Sequence, residues 1–425
     1  MPVKRFDAAS WLDSPMSRRR LDLGRFAEER ATVAEICGRV LAEGDEALRE
    51  LGKKFDGWAP GPGSAETFEV PKHVVREALD RLHVADRAAL EFAAERIRDF
   101  HARQIPQATL GSPGLKLLTR PVRRAGVYAP GGRAAYPSTV LMTAIPARVA
   151  GVPEVVLATP PRPDGTVPSS ILAAAHIAGV DAIYRIGGAQ AIAALAYGTA
   201  SIPRVDVVAG PGNIYVTLAK REVFGSVGVD GIAGPTEVLV IADANARPDF
   251  VAADLAAQLE HDPLAWGVLI TDSKRLADRV EEELESLLRG LERADIIRQA
   301  NCCLIVADDL EQAMQLANDF APEHLLLVAD DAARLAALVE NAGAVFVGPY
   351  ATVPLGDYAA GPNHTLPTSG AARFSSPLGV HTFLKRTSVL SLNRGDLETL
   401  REPVVRLAAL EGLGGHAHAV EVRLE

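Results

Sequence analysis

The most suggestive spacing in the sequence is an amide and an imidazole three residues apart. Gln258 and His261 lie at the end of a predicted helix, which Asp262 and Pro263 terminate. Residues at i and i+3 share a helix face, so the two side chains could grip one metal ion. Gln is an uncommon zinc ligand, however, and a helix-end histidine beside a polar neighbour is the more frequent meaning of this pattern.

A second pattern is the adjacent carboxylate and imidazole of Glu323 and His324. They follow Pro322, which blocks continuation of the preceding helix, and they open a predicted strand from Leu325 to Val328. Such a pair offers two proton acceptors whose pKa values burial can tune. Sites of α/β proteins usually lie at the carboxyl ends of strands, so a structural role is the alternative.

Two further acid and histidine pairs stand in glycine-rich segments. Asp357 and His364 belong to residues 354–364, a Gly- and Pro-rich stretch predicted to be a loop that could carry functional side chains or simple turns. Glu411 and His416 flank the sequence Gly-Leu-Gly-Gly in the C-terminal tail. That link is predicted to end a helix near Pro403 to Glu411 and has no necessary role in a site.

No nucleotide-binding motif is evident. The sequence contains neither G-x-G-x-x-G after a strand nor a Walker A loop. Gly210-Pro211-Gly212-Asn213 follows a predicted strand and could approach a phosphate through its backbone, as could Pro130-Gly131-Gly132. Each of these turns is, taken alone, more often only a turn.

The elements that must position these residues are predicted strands and helices that alternate along the chain in a βαβ pattern. The first 110 residues are predicted to be mainly helical, and from Gly114 short apolar runs alternate with helical stretches. Strands are predicted at Gly126 to Tyr128, Glu154 to Ala158, Ala182 to Ile186 and Val205 to Ala209, and again at Glu237 to Ala242, Trp266 to Thr271, Cys302 to Val306, Leu325 to Val328 and Ala344 to Val347. The pattern predicts two α/β units with parallel sheets.

Composition narrows the class of protein. The 425 residues are 48% hydrophobic and carry a net charge of −10, which is typical of a globular protein and disfavours a nucleic-acid binder. No membrane span and no secretory signal is evident. Three cysteines, Cys37, Cys302 and Cys303, do not suggest a disulfide framework, so a cytoplasmic location is expected.

These pieces, taken in order, resemble the histidinol dehydrogenase family over nearly the whole chain. The signature segments are 127–132, 136–142, 186–196, 209–213, 233–237, 258–261, 317–324, 356–364, and in the tail Glu411-Gly412-Leu413 with His416. Any one segment is weak evidence for the family, but chance does not produce so many matching segments in the same order. One departure is Thr236, where many members carry Ser; the hydroxyl is retained.

The resemblance implies a role for each matching residue. Glu323 and His324 match the catalytic pair. Ligands of one zinc ion per subunit would be Gln258, His261, Asp357 and His416. Substrate contacts would be Thr236, Gln258, His261, His324, Asp357, His364, Glu411 and His416. Positions assigned to NAD are Tyr128, Gln190 and Asn213.

Pattern and resemblance together predict an α/β fold with two incomplete Rossmann-like parallel-sheet units, a helical N-terminal segment and an extended C-terminal tail. The expected domains are an N-terminal arm (1–24), a first α/β domain (25–125 and 237–378), an inserted Rossmann-like domain (126–236), and a tail for dimer contact (379–425). The resemblance also implies a homodimer whose tails complete the neighbouring sites.

The implied reaction is oxidation of L-histidinol to L-histidine through bound L-histidinal with two NAD⁺. His324 would act as base in both hydride transfers, and Glu323 would activate water for addition to the aldehyde. Zinc would orient the substrate through its imidazole and amine nitrogens.

Three alternatives stay open at this point. A related zinc and NAD enzyme could act on another polar alcohol, such as a sulfonated diol. A metal-binding scaffold would leave the Glu323-His324 pair without a purpose. A thiol-dependent aldehyde dehydrogenase would need Cys302 or Cys303 as its nucleophile.

Overall fold

The computed structural model describes residues 3–17, 23–64, 67–112, 114–131 and 135–425. Parts of the predicted N-terminal arm and Gly132 of the predicted Pro-Gly-Gly turn lie outside these ranges. By their contacts the residues form two compact units. The first comprises Met1–Ile105 and Val122–Phe383, and the second Pro106–Pro121 and Leu384–Glu425. The domain boundaries given above stay a prediction.

The strands are β1 (Val3–Asp7), β2 (Thr109–Ser112), β3 (Leu115–Pro121), β4 (Arg124–Tyr128), β5 (Glu154–Thr159), β6 (Ala182–Arg185), β7 (Val207–Ala209), β8 (Gly228–Val229), β9 (Glu237–Ala242), β10 (Trp266–Thr271), β11 (Asn301–Val306), β12 (His324–Val328), β13 (Ala344–Val347) and β14 (Leu384–Leu390).

The helices are α1 (Ala8–Asp13), α2 (Ala27–Glu43), α3 (Asp45–Leu51), α4 (Lys72–Asp80), α5 (Val84–Ala102), α6 (Pro137–Val149), α7 (Ser169–Ala178), α8 (Gly188–Tyr197), α9 (Ile214–Val223), α10 (Pro248–Leu259), α11 (Lys274–Leu287), α12 (Ala294–Gln299), α13 (Leu310–Phe320), α14 (Ala332–Ala336), α15 (Val353–Tyr358), α16 (Arg394–Leu410) and α17 (Gly414–Glu421). Across the described ranges, no helix is both long and apolar enough to cross a membrane.

Two parallel sheets form the first unit, as the pattern predicts. One has the strand order β6-β5-β4-β7-β8, and the other has β1-β11-β10-β9-β12-β13. In the five-stranded sheet the chain starts at the central strand β4, adds β5 and β6 on one side and then crosses to β7 and β8. The six-stranded sheet follows the same order from β9 onward, and the N-terminal strand β1 joins its edge beside β11. The two sheets therefore repeat one doubly wound topology, and the predicted α/β class with Rossmann-like units is confirmed.

Helices cover both faces of the sheets, and the inner strands are mostly apolar. All residues of β9 and of β12 are buried. Alternate residues of β9 enter different cores: Val238 and Val240 pack on one face, and Leu239 and Ile241 on the other. Near-continuous apolar runs of this kind are typical of parallel strands that are buried on both sides.

The second unit is an antiparallel sheet with two helices. Its strand order is β14-β3-β2, and α16 and α17 follow β14. Two details differ from the sequence-based prediction, which was wrong here. Helix α16 begins at Arg394, well before Pro403, and the second half of the Gly-rich link is helical because α17 starts at Gly414.

Candidate active site

The amino edge of the six-stranded sheet brings the Glu323-His324 pair beside the start of β9. His324 opens β12 and pairs in register with Val238, so Glu323 lies beside Glu237, the first residue of β9. Oε2 of Glu323 accepts a hydrogen bond from the Thr236 hydroxyl at 2.5 Å and one from the Glu237 amide at 2.8 Å. The carboxylate is thus held in place by the neighbouring strand.

The His324 ring is oriented by the same strand. Its Nδ1 lies 3.0 Å from the Glu237 carbonyl oxygen, and since a carbonyl only accepts, Nδ1 carries the hydrogen. In the neutral ring Nε2 then holds the lone pair. Nε2 is buried and has no hydrogen-bond partner among the described residues; Oδ1 of Asp357 lies 3.9 Å away.

Burial controls the charge of this histidine. It lowers the pKa of His324 to about 4, although the Asp357 carboxylate opposes the shift. The ring is therefore neutral near pH 7, with an acceptor nitrogen that faces the site. A general base requires this protonation state before substrate binds.

Helix α10, which follows β9, ends at the same edge of the sheet and carries Gln258 in its last turn. Its amide nitrogen donates to the Thr236 hydroxyl, which leaves the amide oxygen available as an acceptor or ligand. Gln258 is buried, whereas His261, just beyond the end of α10, is exposed on this chain. Neighbouring protein atoms nevertheless shield its ring from water, and this desolvation lowers the pKa of His261. The nearby His324 ring acts in the same direction.

Asp357 reaches the site from a short helix. The loop predicted at this residue was wrong, because Thr352 precedes the helix α15 and Pro354 stands in its first turn. Burial raises the pKa of Asp357 to about 6; the His324 ring lowers it and the Glu323 carboxylate adds to the rise.

His364 connects this site to the other sheet. Its Nδ1 lies 2.9 Å from the Asp357 carbonyl oxygen, and its Nε2 lies 3.3 Å from the hydroxyl of Thr139 on α6. Burial lowers the pKa of His364 to about 4. The adjacent Asn363 donates to the Met142 carbonyl, also on α6. The segment after α15 thus joins the acid-base pair to the five-stranded sheet.

Three of the predicted zinc ligands lie in the first unit. An amide oxygen, an imidazole and a carboxylate are supplied by Gln258, His261 and Asp357, which are all possible zinc ligands. Across the part of the chain that the structure describes, no group of three or more His, Cys, Asp or Glu side chains is placed to share one metal ion. Of the predicted ligands, the first unit supplies only two of these residue types, His261 and Asp357; Gln258 is an amide, and His416 belongs to the second unit.

The remaining two predicted residues belong to the second unit. Glu411 follows α16 directly, and His416 lies in the first turn of α17. Both are exposed on this chain. The site described above consists of residues of the first unit only.

The residues predicted for NAD lie at the carboxyl edge of the five-stranded sheet. Tyr128 ends β4, and its hydroxyl accepts a hydrogen bond from the Gly188 amide at 3.0 Å. Burial raises the pKa of Tyr128 to about 12, so its hydroxyl stays protonated. Gln190 is buried in the first turn of α8, and Asn213 caps α9 through its side-chain oxygen.

Asp56 is a member of this second group that the sequence did not reveal. Its Oδ2 accepts hydrogen bonds from the Gly187 amide at 3.1 Å and from the Gln190 side chain at 3.2 Å. Burial raises the pKa of Asp56. It ends the π-helical turn Gly52–Asp56, and such turns are frequent at functional sites. Nothing in the local sequence distinguishes it from a surface Asp.

Glu237 was also missed, although a signal existed. It is a carboxylate at the head of an otherwise apolar strand, and it is fully buried. Its Oε1 accepts a hydrogen bond from the Ser369 amide, and its backbone holds both members of the acid-base pair. A charged residue that opens a buried strand needs such partners.

The three cysteines are not suited to act as nucleophiles. Cys37, Cys302 and Cys303 are buried and form no disulfide. Cys302 lies in the interior strand β11, where burial raises the pKa of its thiol. A protonated, enclosed thiol is a poor nucleophile.

The sequence of the chain is similar to a family model and to relatives that share one name. The family model described as histidinol dehydrogenase matches residues 20–424. A histidinol dehydrogenase of Parasynechococcus marenigrum is 49% identical over 413 residues, which is 96% of this chain and 93% of the relative. One from Syntrophotalea carbinolica is also 49% identical, over 93% of this chain and 92% of the relative.

Solved structures that resemble this chain include a member of the same family. The crystal structure of a histidinol dehydrogenase from Elizabethkingia anophelis superposes with a TM-score of 0.89 at 33% identity, covering 99% of this chain and 98% of that one. An acetylating aldehyde dehydrogenase from Geobacillus thermoglucosidasius gives a TM-score of 0.50 at 14% identity, covering 91% of this chain and 96% of that one. The second likeness concerns the fold alone.

Proposed function

The chain belongs to the histidinol dehydrogenase family, and we propose that it oxidises L-histidinol to L-histidine through bound L-histidinal, in two NAD-dependent hydride transfers that end histidine biosynthesis. One observation carries the proposal beyond family membership. The predicted catalytic pair, Glu323 and His324, lies in a single contact network with Thr236, Gln258 and Asp357.

His324 is the base for both oxidations. Its Nε2 accepts the hydroxyl proton of histidinol in the first step and that of the hydrated aldehyde in the second. The hydrogen on Nδ1 remains directed at the Glu237 carbonyl, which stabilises the imidazolium while it exists. The buried, neutral resting state supplies the acceptor without a competing proton.

Glu323 assists the step between the two oxidations. Water must add to the aldehyde carbon, and a carboxylate is a suitable acceptor for the proton that it loses. Oε2 of Glu323 is fixed by Thr236 and the Glu237 amide and lies 3.6 Å from Nδ1 of His324. The two bases therefore lie side by side but act on different protons.

Gln258, His261 and Asp357 would hold zinc, with His416 as the fourth ligand. Zinc, when bound, supplies a cation that can hold both nitrogen donors of histidinol. Thr236 orients the Gln258 amide by accepting its N–H, so the amide oxygen is the atom offered to the ion. His364, anchored on Asp357 and Thr139, and Glu411 would contact the substrate.

NAD would lie at the carboxyl edge of the five-stranded sheet, near Tyr128, Gln190 and Asn213. NAD⁺, when bound, accepts the hydride of each step. The topological crossover between β4 and β7 supports this position, because dinucleotides bind at such points. The contacts of His364 and Asn363 with α6 join this sheet to the acid-base pair.

The active form would be a homodimer in which the tail completes the neighbouring site. The second unit supports this with a series of apolar side chains that are exposed on the single chain: Leu392, Leu400, Leu407, Leu410 and Leu413. Leu410 is 84% exposed. Exposed apolar surface of this extent is typical of a contact with another chain. Three buried cysteines that form no disulfide support a reducing compartment, and the cytoplasm is the proposed location.

The test is the yield of NADH for each histidinol consumed. The proposal predicts about two NADH per histidinol, with no free aldehyde, because the intermediate stays bound between two hydride transfers. A yield of one with aldehyde in solution would contradict it. A panel of polar alcohols, including sulfonated diols, measured in parallel would reveal a related activity on another substrate.

A further inference from the structure

A buried ion pair lies beside the turn that follows β7. Nζ of Lys220 is 2.5 Å from Oδ1 of Asp230, and their side chains are only 5% and 3% exposed. Lys220 is on α9, whereas Asp230 directly follows β8. None of the roles described above involves either residue.

The pair binds both backbone polar groups of a single glycine. Nζ of Lys220 donates to the Gly210 carbonyl oxygen, and Oδ2 of Asp230 accepts from the Gly210 amide at 2.7 Å. Oδ1 of Asp230 accepts in addition from the Gly231 amide at 3.0 Å. The peptide groups on either side of Gly210 are thereby oriented by two opposite charges.

Gly210 needs such fixing because its conformation is one that only glycine adopts readily. Its φ is +124°, and a Cβ at this position would lie 2.2 Å from the carbonyl oxygen of Tyr128. Glycine has the greatest conformational freedom of any residue, so a turn built on it is not fixed by its own sterics. The turn continues through Pro211 and Gly212 to Asn213, the cap of α9.

Stability alone does not explain buried charges here. Removing two ions from water is costly, and apolar residues of similar volume usually pack as well or better. Apolar side chains, however, could not satisfy the amide and the carbonyl of Gly210. The distinctive property of this pair is the orientation of one backbone segment between Tyr128 and Asn213.

We propose that Lys220 and Asp230 are positioning residues for the dinucleotide, holding the turn 210–213 in the conformation that NAD binds. The inference rests on the proposed function, since it takes Tyr128 and Asn213 as neighbours of NAD. The pair acts through Gly210 and does not itself touch a reacting atom. Its loss weakens NAD binding while leaving the acid-base pair at the other sheet intact.

The main variant is Lys220→Met/Asp230→Leu, which removes both charges and leaves no lone buried ion. Its control is Arg148→Met/Asp181→Leu. That ion pair also bonds to backbone, through the Gly179 carbonyl and the Val155 amide, but at the opposite, amino edge of the same sheet. Asp230→Asn is the conservative second variant and decides the question by the same measurements if the double variant does not fold.

Two measurements are made on each protein. Calorimetric titration with NAD⁺ alone gives the Kd, and hydrogen exchange of the free protein gives the protection of the amides in residues 209–216. We expect the double variant to raise the Kd for NAD⁺ at least about tenfold, since two backbone groups lose their partners. Exchange should accelerate in 209–216 and not in β4 or β9. The control should alter neither quantity.

A folded double variant with a Kd within about twofold of the parent would overturn the proposal, as would unchanged exchange in the turn. Steady-state rates add a third readout, in which KM for NAD⁺ rises while kcat at saturation and KM for histidinol stay near the parent values. If the parent itself forms no NADH from histidinol, the proposed function fails. The binding and exchange results on the ion pair remain interpretable in that case.

Discussion

Nδ1 of His324 lies 3.0 Å from the carbonyl oxygen of Glu237, and this contact determines which ring nitrogen can take a proton. Because the carbonyl needs a donor, the lone pair of the neutral ring is on Nε2. Nε2 is buried and points toward the Asp357 side of the site. Glu237, the first residue of β9, thus fixes the tautomer of His324, the proposed base.

Replacing the base should slow both oxidations. His324→Gln keeps a polar side chain of similar reach but cannot accept and release a proton near neutrality. We expect kcat to fall by about 10²–10⁴-fold with histidinol and also with supplied histidinal. NAD⁺ binding by calorimetry should be unchanged. His73→Gln, at an exposed histidine of α4, is the control; a loss with only one of the two substrates would remove the assigned role.

Glu323→Gln should separate the two oxidations. The amide oxygen can still accept from the Thr236 hydroxyl and the Glu237 amide, so the fold is retained. The water-activating base is lost, however. Oxidation of supplied histidinal is expected to fall by about 10²-fold or more, and oxidation of histidinol to histidinal much less. Single-turnover measurements with each substrate check this, and equal effects on the two would contradict it.

His324 should also make the stability of the metal-free protein depend on pH. Its folded pKa of about 4 lies below the unfolded value of about 6.5, so on acidification the unfolded chain takes up a proton first. The free energy of unfolding therefore falls as the pH drops from about 6.5 to about 4, by up to about 2 kcal/mol between pH 7 and 5. Asp357, whose pKa is raised to about 6, acts in the opposite direction over the lower part of this range.

The comparison that isolates His324 is denaturant unfolding of parent and His324→Gln with a chelator at pH 7 and pH 5. The parent is expected to lose more stability than the variant on acidification. Parallel losses in the two proteins would mean that the imidazole is not held neutral by burial.

Mixed dimers test whether the tail serves the partner's site. His416→Ala has an intact first unit, and His261→Ala has an intact tail. If tails cross over, mixing the two inactive variants under subunit exchange should restore about a quarter of the parent activity, from one intact site in each mixed dimer. Variants that fail to complement, with exchange verified by mass spectrometry, would show that each tail serves its own chain.

Much of the fold follows from the sequence because parallel strands and their helices have local signatures. The run from Glu237 to Ala242 and the break at Asp262-Pro263 predict β9 and the end of α10 as observed. The error at Asp357 was of a different kind. Glycine and proline density suggested a loop, whereas Pro354 stands in the first turn of a helix, where it is favoured.

The parts of the site that could not be predicted depend on contacts across long separations. Asp56 meets Gly187 and Gln190, which lie more than a hundred residues along the chain. Lys220 and Asp230 are close in sequence, but nothing local reveals that both charges are buried on one glycine. Residue type and spacing predict which side chains could do chemistry; the register of β12 on β9 decides which of them meet.

The measurement that tests the central claim most directly is the zinc content of each chain, determined by mass spectrometry after removal of unbound metal. The account predicts about one zinc per chain in the parent and in His73→Ala, and far less in His261→Ala and Asp357→Asn. NAD⁺ binding should be alike in all four proteins. Full zinc occupancy in His261→Ala and Asp357→Asn would contradict the account, because these side chains would then not hold the ion.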